Sequence, residues 1–182
     1  EAMGARLLGT VPYDRHLASG GNERGRFSPW QRAVRALAAN LATGSTLYQP
    51  YALSLLAEAS GAGGHPDEGL AVLAEGRAVL DTTALRVYAA ELSRLQGALL
   101  LQQAVPDVAQ AEACFQQALA LARQQQAKSW ELRAAMSLSR LWHQKGKPVE
   151  ARQLLAPIYG WFTEGFDTAD LQEAKALLER LS

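Results

Sequence analysis

Glu131-Leu132-Arg133-Ala134-Ala135-Met136-Ser137-Leu138-Ser139-Arg140-Leu141-Trp142-His143-Gln144-Lys145-Gly146-Lys147-Pro148-Val149-Glu150-Ala151-Arg152-Gln153-Leu154-Leu155 decides the fold. Leu138, Leu141 and Trp142 recur at the three- and four-residue spacing of one helical stripe, and Ser139 beside them is small. Gly146-Lys147-Pro148 stops that helix, since glycine suits a helix end and proline the first position of the next. Ala151, Leu155 and Ile158 then begin a second stripe. The spacing predicts a helical hairpin. Weaker copies precede it, and aligning Gly69/Leu73, Ala111/Phe115 and Ala151/Leu155 gives steps of about 40 residues. The chain therefore reads as a repeat protein.

Working outward, residues 48 to 60 carry Leu53, Leu56 and Ala57 as a helix that ends in Gly61-Ala62-Gly63-Gly64. Pro66-Asp67-Glu68 opens its partner through Leu70, Leu73 and Leu80. Asp81 and Thr82 are candidate caps for a stripe of Leu85, Tyr88, Leu92, Leu95, Leu99 and Gln102 or Gln103, which breaks at Val105-Pro106-Asp107. Ala111, Phe115, Ala118 and Leu119 mark its partner. Pro157, inside an apolar segment, predicts a kink or restart because proline removes a backbone donor and crowds the carbonyl four residues back. Asp167-Thr168 begins a last helix with Leu171, Ala174, Leu178 and Leu181 on one side and charged residues on the other, as a capping helix requires. Upstream, Ser28-Pro29-Trp30-Gln31 is a helix start with a capping box, and Val34, Leu37, Ala38 and Leu41 continue it to Gly44. Residues 10 to 27 hold Pro12, Gly20, Gly21 and Gly25 and read as a loop; residues 1 to 9 read as the remainder of a helix. The division is a partial first repeat with an irregular loop over 1–27 and a helical repeat domain over 28–182. Residues 1 to 28 supply no full hairpin to cover the helix after them, so association through that end is expected.

Composition narrows the function. The 182 residues are 48% hydrophobic and 20% charged, with 18 basic and 18 acidic side chains, as in an ordinary soluble protein. A formal charge of zero offers no basic stripe for nucleic acid or an anionic membrane. No apolar run approaches the roughly 20 residues of a membrane span, and no signal peptide opens the chain. A cytoplasmic location is the default expectation, in keeping with the single cysteine, Cys114. Because the chain opens at Glu1 in mid-pattern, it reads as a piece of a longer protein.

The large-apolar/small pair, aromatic and glycine on the first helix, followed by alanine and a large apolar residue on the second, resemble the tetratricopeptide pattern, though a step of about 40 exceeds its 34. The stretches Leu56 to Ala59, Ala90 to Gly97, Trp130 to Leu138 and Leu155 to Thr168 resemble the helical C-terminal regions of bacterial regulatory ATPases, some fused to adenylate/guanylate cyclase or to LuxR-type DNA-binding domains. The resemblance implies an all-α fold: a tetratricopeptide-like right-handed superhelix of antiparallel helical hairpins with a C-terminal capping helix. It also implies a sensor or scaffold whose ATP site lies in another domain upstream.

Residues that carry chemistry are few. Gly20-Gly21-Asn22-Glu23-Arg24-Gly25-Arg26-Phe27 has phosphate-loop spacing, but Arg26 and Phe27 replace the lysine and hydroxyl that such a loop needs, so a plain loop is the better reading. His16, His65 and His143 lie far apart with no partners at metal-ligand spacing. Cys114 lacks a neighbouring histidine and reads as core. Trp30, Trp130, Trp142 and Trp161 read as packing residues, and the glutamines at 102, 103, 116, 117 and 124–126 as solvated faces. No enzyme chemistry, metal or cofactor is expected.

If tetratricopeptide geometry holds, the first helix of each hairpin lines a groove. With Leu138, Ser139 and Trp142 inward, Arg133, Met136, Arg140, His143 and Gln144 fall along another face, joined by Arg94 and Tyr88 from the neighbouring repeat. Two arginines and a methionine suit an extended peptide that carries a carboxylate and an apolar side chain. The bland alternative for this face is an ordinary solvated helix surface. The expected role is a protein- or peptide-binding or effector-sensing module, with upstream domains of the same chain among its candidate partners. The rival is a structural spacer or homo-oligomerisation arm.

Overall fold

The computed structural model describes residues 49–82 and 86–182. Seven α-helices follow in order: α1 (Gln49–Ala62), α2 (Pro66–Thr82), α3 (Ala89–Leu100, preceded by a 3-10 turn at Arg86–Tyr88), α4 (Val108–Gln124), α5 (Lys128–Gln144), α6 (Pro148–Tyr159) and α7 (Ala169–Arg180). Every described element is helical, as the 3.6-residue stripes predict. No helix among the described residues is long and apolar enough to cross a membrane. The expected helix after Ser28, the loop of residues 10 to 27 and the proposed association through the N-terminal end lie outside the described residues.

Three turns share one hydrogen-bonding device. After α1, Gly64 N–H donates to Gly61 O at 3.0 Å and His65 N–H to Ser60 O at 2.9 Å; after α5, Gly146 donates to His143 O at 3.0 Å and Lys147 to Trp142 O at 2.9 Å. These crossed bonds satisfy carbonyls that a helix end leaves orphaned, and they require a left-handed residue. Gly64 (φ +80°) and Gly146 (φ +74°) supply it. Other ends use different means: Asp107 caps α4 by accepting from Gln110 N–H at 2.9 Å, and Pro148 sits in the first turn of α6.

Small residues set how closely paired helices approach. A Cβ on Gly69 would lie 3.0 Å from Ala57 O, and one on Gly97 would lie 2.9 Å from Ala111 O. In the third hairpin Ser139, fully buried, donates its hydroxyl to Ala151 O at 3.0 Å. Ala57, Gly97 and Ser139 thus occupy equivalent crossing points, with Gly69, Ala111 and Ala151 opposite them. Leucines fill the space on either side: Leu53, Leu56, Leu73, Leu92, Leu95 and Leu99 form one buried cluster. Phe115, Leu132, Leu138, Leu155, Leu171 and Leu177 belong to a second that runs on into α7. Each such side chain contributes about 1.5–3 kcal/mol of burial.

Beyond the sequential pairs, α1 packs on α3, α3 on α5 and α5 on α7. The first helices of successive hairpins therefore form an inner layer, with α2, α4 and α6 outside it. As members of that layer, α3 and α5 are covered on several sides and are buried along most of their length.

Two boundaries differ from expectation. The stripe expected to reach Gln102 or Gln103 stops at Leu100, where Gln102 N–H to Leu99 O, three residues back, tightens the last turn before Pro106. The expected restart at Pro157 does not occur; α6 passes through it and ends at Tyr159. Proline is tolerated in this final turn because Gln153, whose carbonyl loses its donor, and Pro157 are both exposed to water.

Candidate functional site

Stacking of α1, α3, α5 and α7 brings acids and bases from four helices into one row: Glu58 on α1, Glu91 and Arg94 on α3, Arg133 and Arg140 on α5, Asp170 and Glu173 on α7. Within each helix the charges sit three or seven residues apart, which puts them on a common face. Glu91 is the centre. Arg94 grips it with two parallel bonds, Nε to Oε2 and Nη2 to Oε1, both 2.8 Å. Arg133 Nη1 reaches the same Oε1 at 2.8 Å. Glu58 Oε1 lies 3.5 Å from Arg94 Nη2 and 3.6 Å from Arg133 Nη2, and Asp170 Oδ2 lies 3.8 Å from Arg133 Nε. Further along, Arg140 Nη2 donates to Glu173 Oε2 at 2.8 Å.

Burial divides the row into unequal parts. The Glu91 side chain is only 4% exposed and Arg94 11%, whereas Asp170 is 46% exposed. Burial alone pushes the Glu91 carboxyl up, but the bonded Arg94 and the nearby Arg133 outweigh it and hold the group below the usual carboxylate range. Arg94 is likewise disfavoured by burial and overruled by Glu91 and Glu58, so its guanidinium stays charged more firmly than usual. Asp170 goes the other way. Burial raises it, Arg133 offsets only part of this, and the neighbouring Glu91 carboxylate adds repulsion.

Of the residues that the sequence singled out, Arg94, Arg133 and Arg140 do share one face, each paired with a carboxylate of this same chain. His143 and Gln144 are exposed on the last turn of α5. Met136 is corrected: it is 2% exposed and belongs to the core, because α5 is packed by α3, α4, α6 and α7 and has no open flank at that position. Tyr88, 8% exposed, stacks on Tyr51 with ring centroids 5.8 Å apart and closes the α1–α3 junction instead of facing a groove. Trp142 is half-buried against the core, and its Nε1–H donates to Glu112 Oε1 at 2.7 Å. Trp161 departs from the packing expectation and is 57% exposed.

Sequence reasoning missed the acids Glu58, Glu91, Asp170 and Glu173. A signal was present: Ala57-Glu58-Ala59 and Ala90-Glu91-Leu92 put a carboxylate in the middle of an apolar stripe, where an unpaired charge is not tolerated. Beside the row, Glu58, Ala62, Arg94, Leu95, Ala98, Leu99 and Gln102 line a depression of about 220 Å³. Among the described residues, no group of three or more His, Cys, Asp or Glu side chains is arranged to hold a metal ion. Comparison of the chain with protein-family models, with curated proteins and with solved structures gives no match.

Proposed function

We propose that this chain is a non-catalytic interaction module: a tetratricopeptide-like, right-handed superhelix of helical hairpins, closed by α7, within a larger bacterial signalling or regulatory ATPase. Its partner is an acidic protein segment that docks along the inner layer of α1, α3, α5 and α7. The observation that supports this reading is the ion-pair row, which is locked at Glu91 and loose at its α7 end. Arg133 meets Asp170 at 3.8 Å, and the Arg140–Glu173 pair is about 40% exposed on both sides. A partner carboxylate exchanging with Asp170 or Glu173 keeps every guanidinium paired, and the displaced carboxylate, 46% or 41% exposed, turns to water.

The test is a fluorescence-anisotropy titration of the protein with a labelled peptide of alternating Glu and Leu. Binding is expected at low salt, to weaken as salt rises, and to fall about tenfold in Arg140→Gln, whose amide can still donate to Glu173, with the melting temperature nearly unchanged. Arg140 is suitable because its guanidinium is partly exposed, whereas Arg133 also supports Glu91. No binding at low salt, or equal affinity in the variant, overturns the proposal. One observation favours the rival role of spacer or oligomerisation arm: Arg94 and Arg133 already have carboxylate partners inside the chain. A spacer would ignore the peptide, and an oligomerisation arm would show a mass that rises with concentration in sedimentation.

A further inference from the structure

A second depression, about 670 Å³, lies apart from the ion-pair row, between the α4–α5 turn and the segment after α6; Arg123, Gln126, Lys128, Glu131 and Trp161 line it. That volume falls in the range of about 300–1,000 Å³ typical of small-molecule sites. Glu131, in the first turn of α5, accepts Lys128 Nζ at 2.7 Å and Arg123 Nε at 2.9 Å. Its side chain is 6% exposed, while that of Arg123 is 53% exposed and that of Lys128 35%. Two cations therefore share one buried carboxylate, leaving a positive charge in excess on the open side. Trp161 forms the facing wall, steadied by Phe162 edge-on at 5.2 Å and by Lys128 Nζ at 5.5 Å from its ring, yet more than half of the residue meets solvent.

Gln126 adds an independent observation. The turn after α4, which joins the second hairpin to the third, repeats the crossed bonds of the turns after α1 and α5, with Gln126 N–H to Arg123 O at 3.0 Å and Ala127 N–H to Ala122 O at 2.9 Å. The left-handed position, glycine at 64 and 146, is here Gln126 at φ +55°. A side chain held in a conformation that favours glycine is unfavourable for folding alone, and such strain collects where a side chain is needed.

We infer that this depression binds a small organic anion with a flat ring: the ring lies on Trp161, the anionic group meets Arg123 and Lys128, and the Gln126 amide bonds a polar edge. Indole surface favours a π-system, and paired cations favour a carboxylate or phosphate. An aromatic carboxylate and a nucleoside monophosphate share this chemistry, and separate titrations distinguish them. The protein, labelled with nitrogen-15, is titrated with indole-3-acetate and with AMP while the indole N–H resonances of its four tryptophans are followed. The Trp161 signal is assigned by its disappearance in Trp161→Phe.

At least one of the two probes is expected to shift that signal saturably. The probe that does so identifies the source, and its uncharged or ring-less fragments, adenosine and inorganic phosphate or indole and acetate, should bind at least tenfold more weakly. Arg123→Gln should weaken binding about tenfold. Gln126→Gly should weaken it while raising the melting temperature, so that lost binding is not mistaken for unfolding. Absence of a saturable Trp161 shift with both probes overturns the inference, as does unchanged affinity in Arg123→Gln and Gln126→Gly. The outcome is independent of the acidic-peptide test, which reads different residues.

Discussion

Glu91 Oε1 accepts from Arg94 and forms an ion pair with Arg133 at 2.8 Å, so one buried oxygen joins two helices. Replacing Glu91 with Gln leaves Arg94 buried without its counter-charge, and removing one partner of such a pair typically costs about 3–5 kcal/mol. A comparable drop in unfolding free energy, read from urea titration at neutral pH, is expected for Glu91→Gln. Asp170→Asn should behave oppositely. The Asp170 carboxyl is raised above its ordinary 3.8, so its ionised form opposes folding, and that penalty appears as pH rises through the raised value. Asp170→Asn is therefore expected to hold or increase the urea midpoint at neutral pH; a loss as large as that of Glu91→Gln would contradict the assignment. The Glu91 carboxyl is lowered from 4.5, so its contribution is complete above 4.5 and disappears only as pH falls through the lowered value. On acidification of the wild type, the Asp170 penalty is thus relieved first and the Glu91 contribution is lost later. The sequence placed three arginines on one face but not their acids, because helical spacing relates residues of one helix and, apart from Glu91–Arg94 within α3, these pairs join different helices.

At the scale of elements, the helices after residue 48 were legible because each stripe keeps a 3.6-residue period and most turns, though not that at Gln126, carry glycine, proline or a capping side chain. The α3 end was less so. Its apolar period continues through Leu101, and what stops the helix is a local tightening of hydrogen bonds that no periodicity displays. Met136 went astray for a related reason: a stripe argument assumes one buried face, and α5 has neighbours on four sides. Two substitutions test the hairpin packing. A Cβ on Gly97 would lie 2.7 Å from Phe115 Cε1 and 2.9 Å from a backbone carbonyl, so Gly97→Ala is expected to lower stability by about 1–3 kcal/mol although alanine favours helix. A gain in the urea midpoint would show that α3 and α4 yield easily. Leu155 is fully buried, and Leu155→Asp should remove several kcal/mol from a typical total of about 5–15, enough to unfold α5 to α7 near room temperature. Retention of the wild-type melting curve would contradict its core position.

At the scale of the whole molecule, stability in a repeat array is normally a sum of unit and nearest-neighbour terms. Here Glu58 of the first hairpin lies 3.6 Å from Arg133 of the third, across the α3 between them. Arg133→Met, which removes the guanidinium that reaches Glu58, Glu91 and Asp170, is expected to lower the urea m-value as well as the midpoint, because the hairpins would then unfold less together. An unchanged m-value would assign cooperativity to the leucine clusters alone.

The same contact bears on mechanics. A stack whose hairpins touch only their neighbours separates easily, whereas one whose first and third hairpins also meet through an ion pair is braced before any load is applied. Pulling α1 away from α7 must part charges before it deforms any helix, so the molecule should resist small extensions stiffly and then yield over a short distance. Dissolved salt screens the exposed parts of the row and leaves the buried Glu91–Arg94 pair nearly untouched. Ionic strength therefore sets the tension at which the first and third hairpins part more than the tension at which each hairpin comes apart.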